Sequence, residues 1–295
     1  MNHAKASRNI ALLGLLLNIG MAGGKLVAGI LGRSSALVAD AVESIGDIVG
    51  SGFVWIGMRY AAKPADEDHP YGHGKAESLA ALGVSLLLFG SAATIAWGAL
   101  KEMAQSDGPM EKPAWFTLWV VVGVIAAKET MYQVARRAAK KANSTAALAD
   151  AWHHRADAIT SLFTLAGVSI ALLGPQSFAI ADKIAALVSA AVICITAANL
   201  ARAPLAELTD SAPPELLEKV RQVALKVPGV CDVEQVLARK SGTQYLMDMH
   251  LHVPGNLSVR EAHDLSGKVK SAIREALPEV RNVLIHVEPA KVNEP

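Results

Sequence analysis

The stretches ALVADAVESIGD (36–47) and LADAWHHRADAITS (148–161) decide how this chain is read. Each lies within an apolar run long enough to cross a bilayer core, which takes about 20 residues as a helix. Each carries two polar residues four apart, Glu43 with Asp47 and His153 with Asp157. Residues at that spacing share a helix face, roughly 5–6 Å apart at Cβ. A carboxylate at membrane depth costs about 3 kcal/mol or more unless it is paired, hydrated or bound to an ion. Two such pairs on different helices make a set of three carboxylates and one imidazole, donors that suit a divalent first-row metal. The alternative is an ion pair that only stabilises the bundle. The one strong base inside either stretch is Arg155, two residues from His153 and off its face. Asp40 and Asp150, three residues before each pair, lie near the ligand face, either supporting it or hydrated at a helix end. His154 points about 100° away from His153.

The remainder of the chain fits a membrane protein. It has 295 residues, 52% hydrophobic and 19% charged, with a net charge of +1 and a mean hydropathy of +0.31. No global charge argues for nucleic acid. The cysteines, Cys194 and Cys231, form no C-x-x-C motif, which excludes a disulfide framework or a zinc ribbon. Six spans stand out, at about 9–31, 36–60, 77–104, 114–138, 145–173 and 178–204. The first reads as an uncleaved span, not a signal peptide, because no small-residue cleavage site follows it. Gly20-x-x-x-Gly24 and Gly46-x-x-x-Gly50 allow close helix packing or a dimer seam.

Lysine and arginine set the orientation. Lys5, Arg8, Arg59, Lys63, Lys75, Arg136, Arg137, Lys140, Lys141, Arg202, Lys219 and Arg221 fall on one side; Arg33, Lys101 and Lys112 fall on the other. Both termini are therefore expected in the cytoplasm. Composition changes at 210–214, DSAPP, giving an expected division into a six-helix transmembrane domain, 1–208, and a cytoplasmic domain, 209–295. In the second part, a helix at about 213–227 opens on Pro213-Pro214. Strands follow at about 230–240 and 243–253, joined at Ser241-Gly242. A helix at about 258–277 begins with the capping box Ser258 and Glu261, and a last strand covers 282–288. The order αββαβ is that of a ferredoxin-like α+β domain. So small a core calls for support from dimerisation or metal.

Two further clusters stand out. The loop DEDHPYGHGK (66–75) holds two histidines four apart among carboxylates, which is either a metal site or a solvated acidic turn. The cytoplasmic part holds Glu234, His250, His252, His263, His286 and Glu288, four of the chain's nine histidines; plain surface histidines are the alternative.

With ALVADAVESIGD, PADEDHPYGHGKAESLAAL (64–82), LADAWHHRADAITS and GVCDVEQVLARKSG (229–242), the sequence resembles the cation diffusion facilitator family, most closely its bacterial iron/zinc-efflux branch. The likeness runs from end to end. It implies a homodimer in the plasma (inner) membrane that exports divalent cations, zinc or iron foremost and manganese or cobalt as further candidates, in exchange for protons. It implies a secondary transporter, not an enzyme, with divalent metal as substrate and regulator. The transport site maps onto Glu43, Asp47, His153 and Asp157, and a loop site onto Asp66, His69 and His73. A cytoplasmic site maps onto Glu234, His250, His263, His286 and Glu288, and a charge interlock onto Lys75 and Asp210. Two features depart from the pattern: Glu43, where the branch usually has His or Asp, and Glu234 with Glu288, where His and Asp are frequent. A metal-sensing or scaffolding subunit that does not transport is the competing reading. An intramembrane metallohydrolase finds no H-E-x-x-H motif.

Overall fold

The computed structural model describes residues 2–105, 110–142 and 145–290; side chains 2–15, 54, 138–151, 153, 154 and 156 lie outside that description. Six long helices come first: α1 (Asn2–Leu31), α2 (Ser35–Ala61), α3 (Lys75–Ala104), α4 (Trp115–Ala142), α5 (Thr145–Leu173) and α6 (Ile180–Leu208), the last preceded by a 3-10 turn at Gln176–Ala179. Then come α7 (Pro214–Leu225), β1 (Asp232–Ser241), β2 (Gln244–Val253), α8 (Val259–Ala276) and β3 (Val280–Pro289). This is the six-helix-plus-αββαβ order that hydropathy and alternation predict. Among the described residues, Lys75–Ala104, Trp115–Arg137 and Gln176–Leu208 are long and apolar enough by composition alone to cross a membrane. Leu16–Leu31 of α1 and Asp157–Leu173 of α5 are shorter apolar stretches among the described residues.

Two compact units divide these elements, 1–52 with 84–199, and 53–83 with 200–295. In the first, the contacts between helices are made by small residues. Ala36, Ala39, Ala41, Ala186 and Ala197 are buried, while Leu86, Trp97, Trp119 and Leu173 face outward. That inversion suits a lipid solvent, where packing alone drives helix association. A Cβ on Gly46 or Gly50 would lie 2.5 Å from Leu88 Cδ2 or 3.1 Å from Val84 Cγ1, so this pair lets α2 approach α3. Gly20 and Gly24 have nothing within 4 Å. The N-terminus of α2 is held by a carboxylate from α6. Asp182 accepts from Ser34 Oγ at 2.6 Å and from the Ser35 amide at 2.7 Å, where the helix dipole favours negative charge.

The second unit has its own core. β2 lies between β1, antiparallel, and β3, parallel. Leu216, Val220 and Ala224 of α7 and Leu265, Val269 and Ile273 of α8 recur every four residues and bury against Met247, Met249 and Leu251 of β2. α8 starts at the expected capping box: Ser258 Oγ accepts from the Glu261 amide, and Glu261 accepts from the Ser258 amide at 2.8 Å. α6 ends with Asp210 in the left-handed region (φ 56°), after which the Ser211 amide returns to Ala206 O at 2.8 Å. That cap sets the Asp210 carboxylate 2.9 Å from Lys75 Nζ at the start of α3. Beside it, Glu207 accepts from Ser78 Oγ at 2.5 Å and pairs with Lys240 of β1. The hydrogen bond to Glu207 holds Lys240 above the ordinary lysine range despite partial burial. The β1–β2 turn seats on Gly74, where an added Cβ would lie 2.5 Å from Ser241 C and 2.7 Å from Gly242 N.

Gly74→Ala should therefore destabilise this unit by about 1–3 kcal/mol, the usual cost of overpacking where the neighbour is backbone. A lowered unfolding midpoint of the full-length protein in nanodiscs checks it, and an unchanged midpoint refutes the contact. The second prediction concerns Glu261, which its bonds with Ser258 hold below the ordinary glutamate range. A depressed folded pKa stabilises above the unfolded value, about 4.3, and the contribution is lost as pH falls through the folded value. Carboxyl NMR titration should show the low midpoint, and Ser258→Ala should move it upward.

Candidate functional site

Glu43 and Asp47 sit one turn apart on α2, and Asp157 on α5; the side chain of His153 lies outside the described residues, as does that of Asp150. Asp47, Asp157, Ser44 and Lys128 line one small cavity of about 30 Å³ in the helical unit. That is room for a single water-sized occupant. α2 and α5 thus each bring one carboxylate, Asp47 and Asp157, to this cavity.

The structure also supplies partners that the spacing did not reveal. Lys128 of α4 is buried and sets its Nζ 2.9 Å from Asp157 Oδ2. Lys25 of α1, fully buried, lies 2.9 Å from Asp40 Oδ2 and 3.0 Å from Ser44 Oγ. Ser161 of α5 donates to Asp40 Oδ1 at 2.9 Å. Asp40 is therefore tied to Lys25 and Ser161 beside the acidic pair. Reading the stretches 36–47 and 148–161 alone finds only Arg155, which instead lies 3.9 Å from Glu129 and over the Tyr132 ring. The bases come from neighbouring helices, where Lys25 and Lys128 look like ordinary interruptions of an apolar run.

The loop residues converge. Asp66 Oδ1 accepts from the His69 amide at 2.7 Å and faces His69 Nδ1 at 3.0 Å, while Asp66 Oδ2 lies 3.4 Å from His73 Nε2. His73 is buried, edge-on to Tyr60 at 5.0 Å, and its Nδ1 lies 3.2 Å from Pro64 O. A carbonyl accepts only from N–H, so Nδ1 carries a proton, and Nε2 is the nitrogen that faces Asp66. Nε2 is thus the atom His73 would offer to a metal. Gly72, at φ 83°, makes the corner between the two histidines. Desolvation raises the Asp66 pKa, but the hydrogen bonds from His69 and the nearby His73 outweigh it, leaving the group below its ordinary value.

The cytoplasmic cluster forms on the sheet face opposite the helices. Parallel pairing sets His250 beside His286 and His252 beside Glu288. Glu288 Oε1 lies 2.7 Å from His250 Nδ1 and 3.4 Å from His286 Nε2. His252 Nε2 bridges Glu288 Oε2 at 3.2 Å and Glu234 Oε2 at 3.3 Å. Glu234 is the extra residue of a β-bulge between Val233 and Gln235, and such bulges re-aim a side chain. Partial burial pushes the Glu288 carboxyl up, but its bonds with His252 and His250 and the nearby His286 hold it low. Glu234, His250 and Glu288 offer ligand atoms within 4.8 Å of one another. His263 is exposed on α8 and does not join them. His252, on the same face of β2 as His250, does join them; the alternation of β2 carried that signal.

Residues 11–209 match the cation efflux transmembrane domain, and residues 212–290 match the cytoplasmic domain of cation efflux proteins, the family's dimerisation domain. Metal tolerance protein C1 of Arabidopsis thaliana is 37% identical over 293 residues, covering 94% of this chain and 61% of that protein. Metal tolerance protein 2 of Oryza sativa subsp. japonica is 35% identical over 309 residues, covering 96% and 78%. The manganese efflux system protein MneP of Bacillus subtilis strain 168 is 32% identical over 288 residues, covering 96% of each. The chain thus spans under two thirds of the Arabidopsis relative and nearly all of the Bacillus one. With both domains matched, the chain belongs to the cation efflux, or cation diffusion facilitator, family of membrane metal transporters, which are not enzymes.

Proposed function

We propose that the protein exports a divalent transition metal from the cytoplasm in exchange for protons. Glu43, Asp47, His153 and Asp157 form the transport site. The observation that carries this reading is the cavity shared by Asp47 of α2 and Asp157 of α5. Three carboxylates and one imidazole admit Zn²⁺, Fe²⁺, Co²⁺ and Mn²⁺. Zinc and iron are the cargoes the branch resemblance implies, and the name of MneP brings manganese forward as their competitor. Asp66, His69 and His73 form an accessory loop site, and Glu234, His250, His263, His286 and Glu288 a regulatory cytoplasmic one, to which His263 contributes only by movement or from a second protomer. Lys75 and Asp210 serve as the interlock between a transmembrane part, 1–208, and a cytoplasmic part, 209–295. The working unit is a homodimer in the plasma (inner) membrane with both termini cytoplasmic. Protons compete with metal for the ligands, so loading expels protons and protonation on the far side expels metal. The helices then alternate access around the site.

Proteoliposomes loaded with a metal-sensitive dye test this. Asp47→Ala and Asp157→Ala should each abolish Zn²⁺ and Mn²⁺ flux while leaving a folded dimer. Undiminished flux in either removes the site assignment, and metal binding without flux in the wild type favours a sensor. For coupling, affinity should fall as pH drops from about 7.5 to 5.5, the range of an imidazole near 6.5. His153→Asp should flatten that profile and weaken the dependence of flux on a pH gradient. Identical profiles in the two proteins would exclude His153 as the proton-exchanging ligand.

A further inference from the structure

Asp157 does not face the cavity alone. Its Oδ2 is held at 2.9 Å by the ammonium of Lys128, which also lines the cavity with Asp47. Lys128 is 3% exposed, midway along a helix whose outward side chains face lipid. A lysine needed only for anchoring or orientation belongs at a span end, where it snorkels to the interface. One placed here has nowhere to discharge except onto the acidic residues. A metal that takes Asp157 Oδ2 must compete with that ammonium for the same oxygen.

Formal charges sharpen the point. Four acidic side chains, Asp40, Glu43, Asp47 and Asp157, stand against two lysines, Lys25 and Lys128, among these described side chains. Without Lys128 the count is four against one, and a divalent cation meets a larger excess of acidic groups. Arg155 and Glu129 pair with each other and leave the sum unchanged.

We propose that Lys128 is a tethered counter-cation of the transport site. Its ammonium occupies Asp157 when the site is empty, is displaced when a divalent ion binds, and returns to drive the ion off. Lys128 is thus a specificity and release residue, not a metal ligand. This inference rests on the transport-site reading above. It adds that metal is exchanged against a fixed internal cation as well as against protons.

The test measures Mn²⁺ and Zn²⁺ binding and proteoliposome flux on the full-length protein, taking as the site's signal the binding component that Asp157→Asn removes. Lys128→Met should bind at least tenfold more tightly and release slowly, so that KM and maximal flux fall together. Lys128→Gln, which keeps a hydrogen-bond donor without the charge, should do the same. Lys128→Arg, which keeps the charge, should stay within about threefold of wild type in both. If Lys128→Met folds only when purified with metal, the metal has replaced the missing cation, which supports the proposal. A lysine that merely braces α4 against α5 gives the opposite pattern: lower thermal stability with unchanged or weaker affinity in Lys128→Met and Lys128→Gln. That result overturns the proposal. If Asp157→Asn removes no binding component and leaves flux intact, the transport-site reading itself fails, and the proposal falls with it. Loss in Asp157→Asn with unchanged affinity in the Lys128 variants rejects the proposal alone.

Discussion

Charge buried at membrane depth must find a partner, and the helical unit is organised around that constraint. An isolated ion there costs about 3 kcal/mol or more, so the acidic residues of α2 and α5 cannot stand unaccompanied. Lys25 reaches Asp40 from α1, Lys128 reaches Asp157 from α4, and Ser161 completes Asp40. The same rule operates where α2 begins, with Asp182 of α6 on Ser34 and the Ser35 amide. Each pair ties two helices that small residues have already brought close. In lipid this matters more than in water, because no hydrophobic gain draws one apolar helix to another. Polar pairing therefore settles which helix faces which, and the apolar surfaces remain outward.

The second unit solves a different problem with the same residue types. Its sheet has one face covered by α7 and α8 and one face left polar, so β2 must alternate strictly. Met247, Met249 and Leu251 face the helices, and His250 and His252 take the opposite face, where His252 is buried beside Glu234 and Glu288. Parallel pairing with β3 then brings His286 and Glu288 alongside at no extra structural cost. The bulge at Glu234 adds a carboxylate from β1 that regular pairing would aim elsewhere. Nearby, the C-terminal cap of α6 reaches the start of α3. An aspartate in the left-handed position ends the helix and presents its carboxylate to Lys75 in one step.

Much of this was legible in the sequence because it depends on periodicity. Six apolar runs predict six helices, the alternation along 244–253 predicts β2 and its two faces, and Ser258 with Glu261 predicts where α8 starts. The i, i+4 spacings are legible for the same reason, because one helix fixes them. What stayed hidden depends on neighbours. The sequence sets Lys128 in mid-span but gives it no partner, and only the packing of α4 against α5 shows that it lies against Asp157. Nothing local announces the bulge that turns Glu234, or the contact that makes Gly74 small. His263 shows the reverse error. It carries the right chemistry and the right family position, yet α8 leaves it exposed and apart from the sheet cluster within one protomer.

The two lysines also bear on how metal choice is set. Selectivity among first-row divalent ions comes from geometry and donor type more than from raw affinity, and this site is rich in oxygen donors. Glu43 extends that oxygen character on α2. An oxygen-rich site in a low-dielectric surround binds any small cation strongly, so discrimination has to come from what the cation displaces. Protons on the ligands are one such competitor, and their strength varies with pH. An ammonium fixed to the scaffold is another, and its strength is set by the fold. A site that uses both can hold a divalent ion against monovalent competitors, which cannot neutralise the remaining charge. It can still let go when protons or the ammonium retake the oxygens. On this view the selectivity of the site is a property of four helices, and its ligands on α2 and α5 are only half of it.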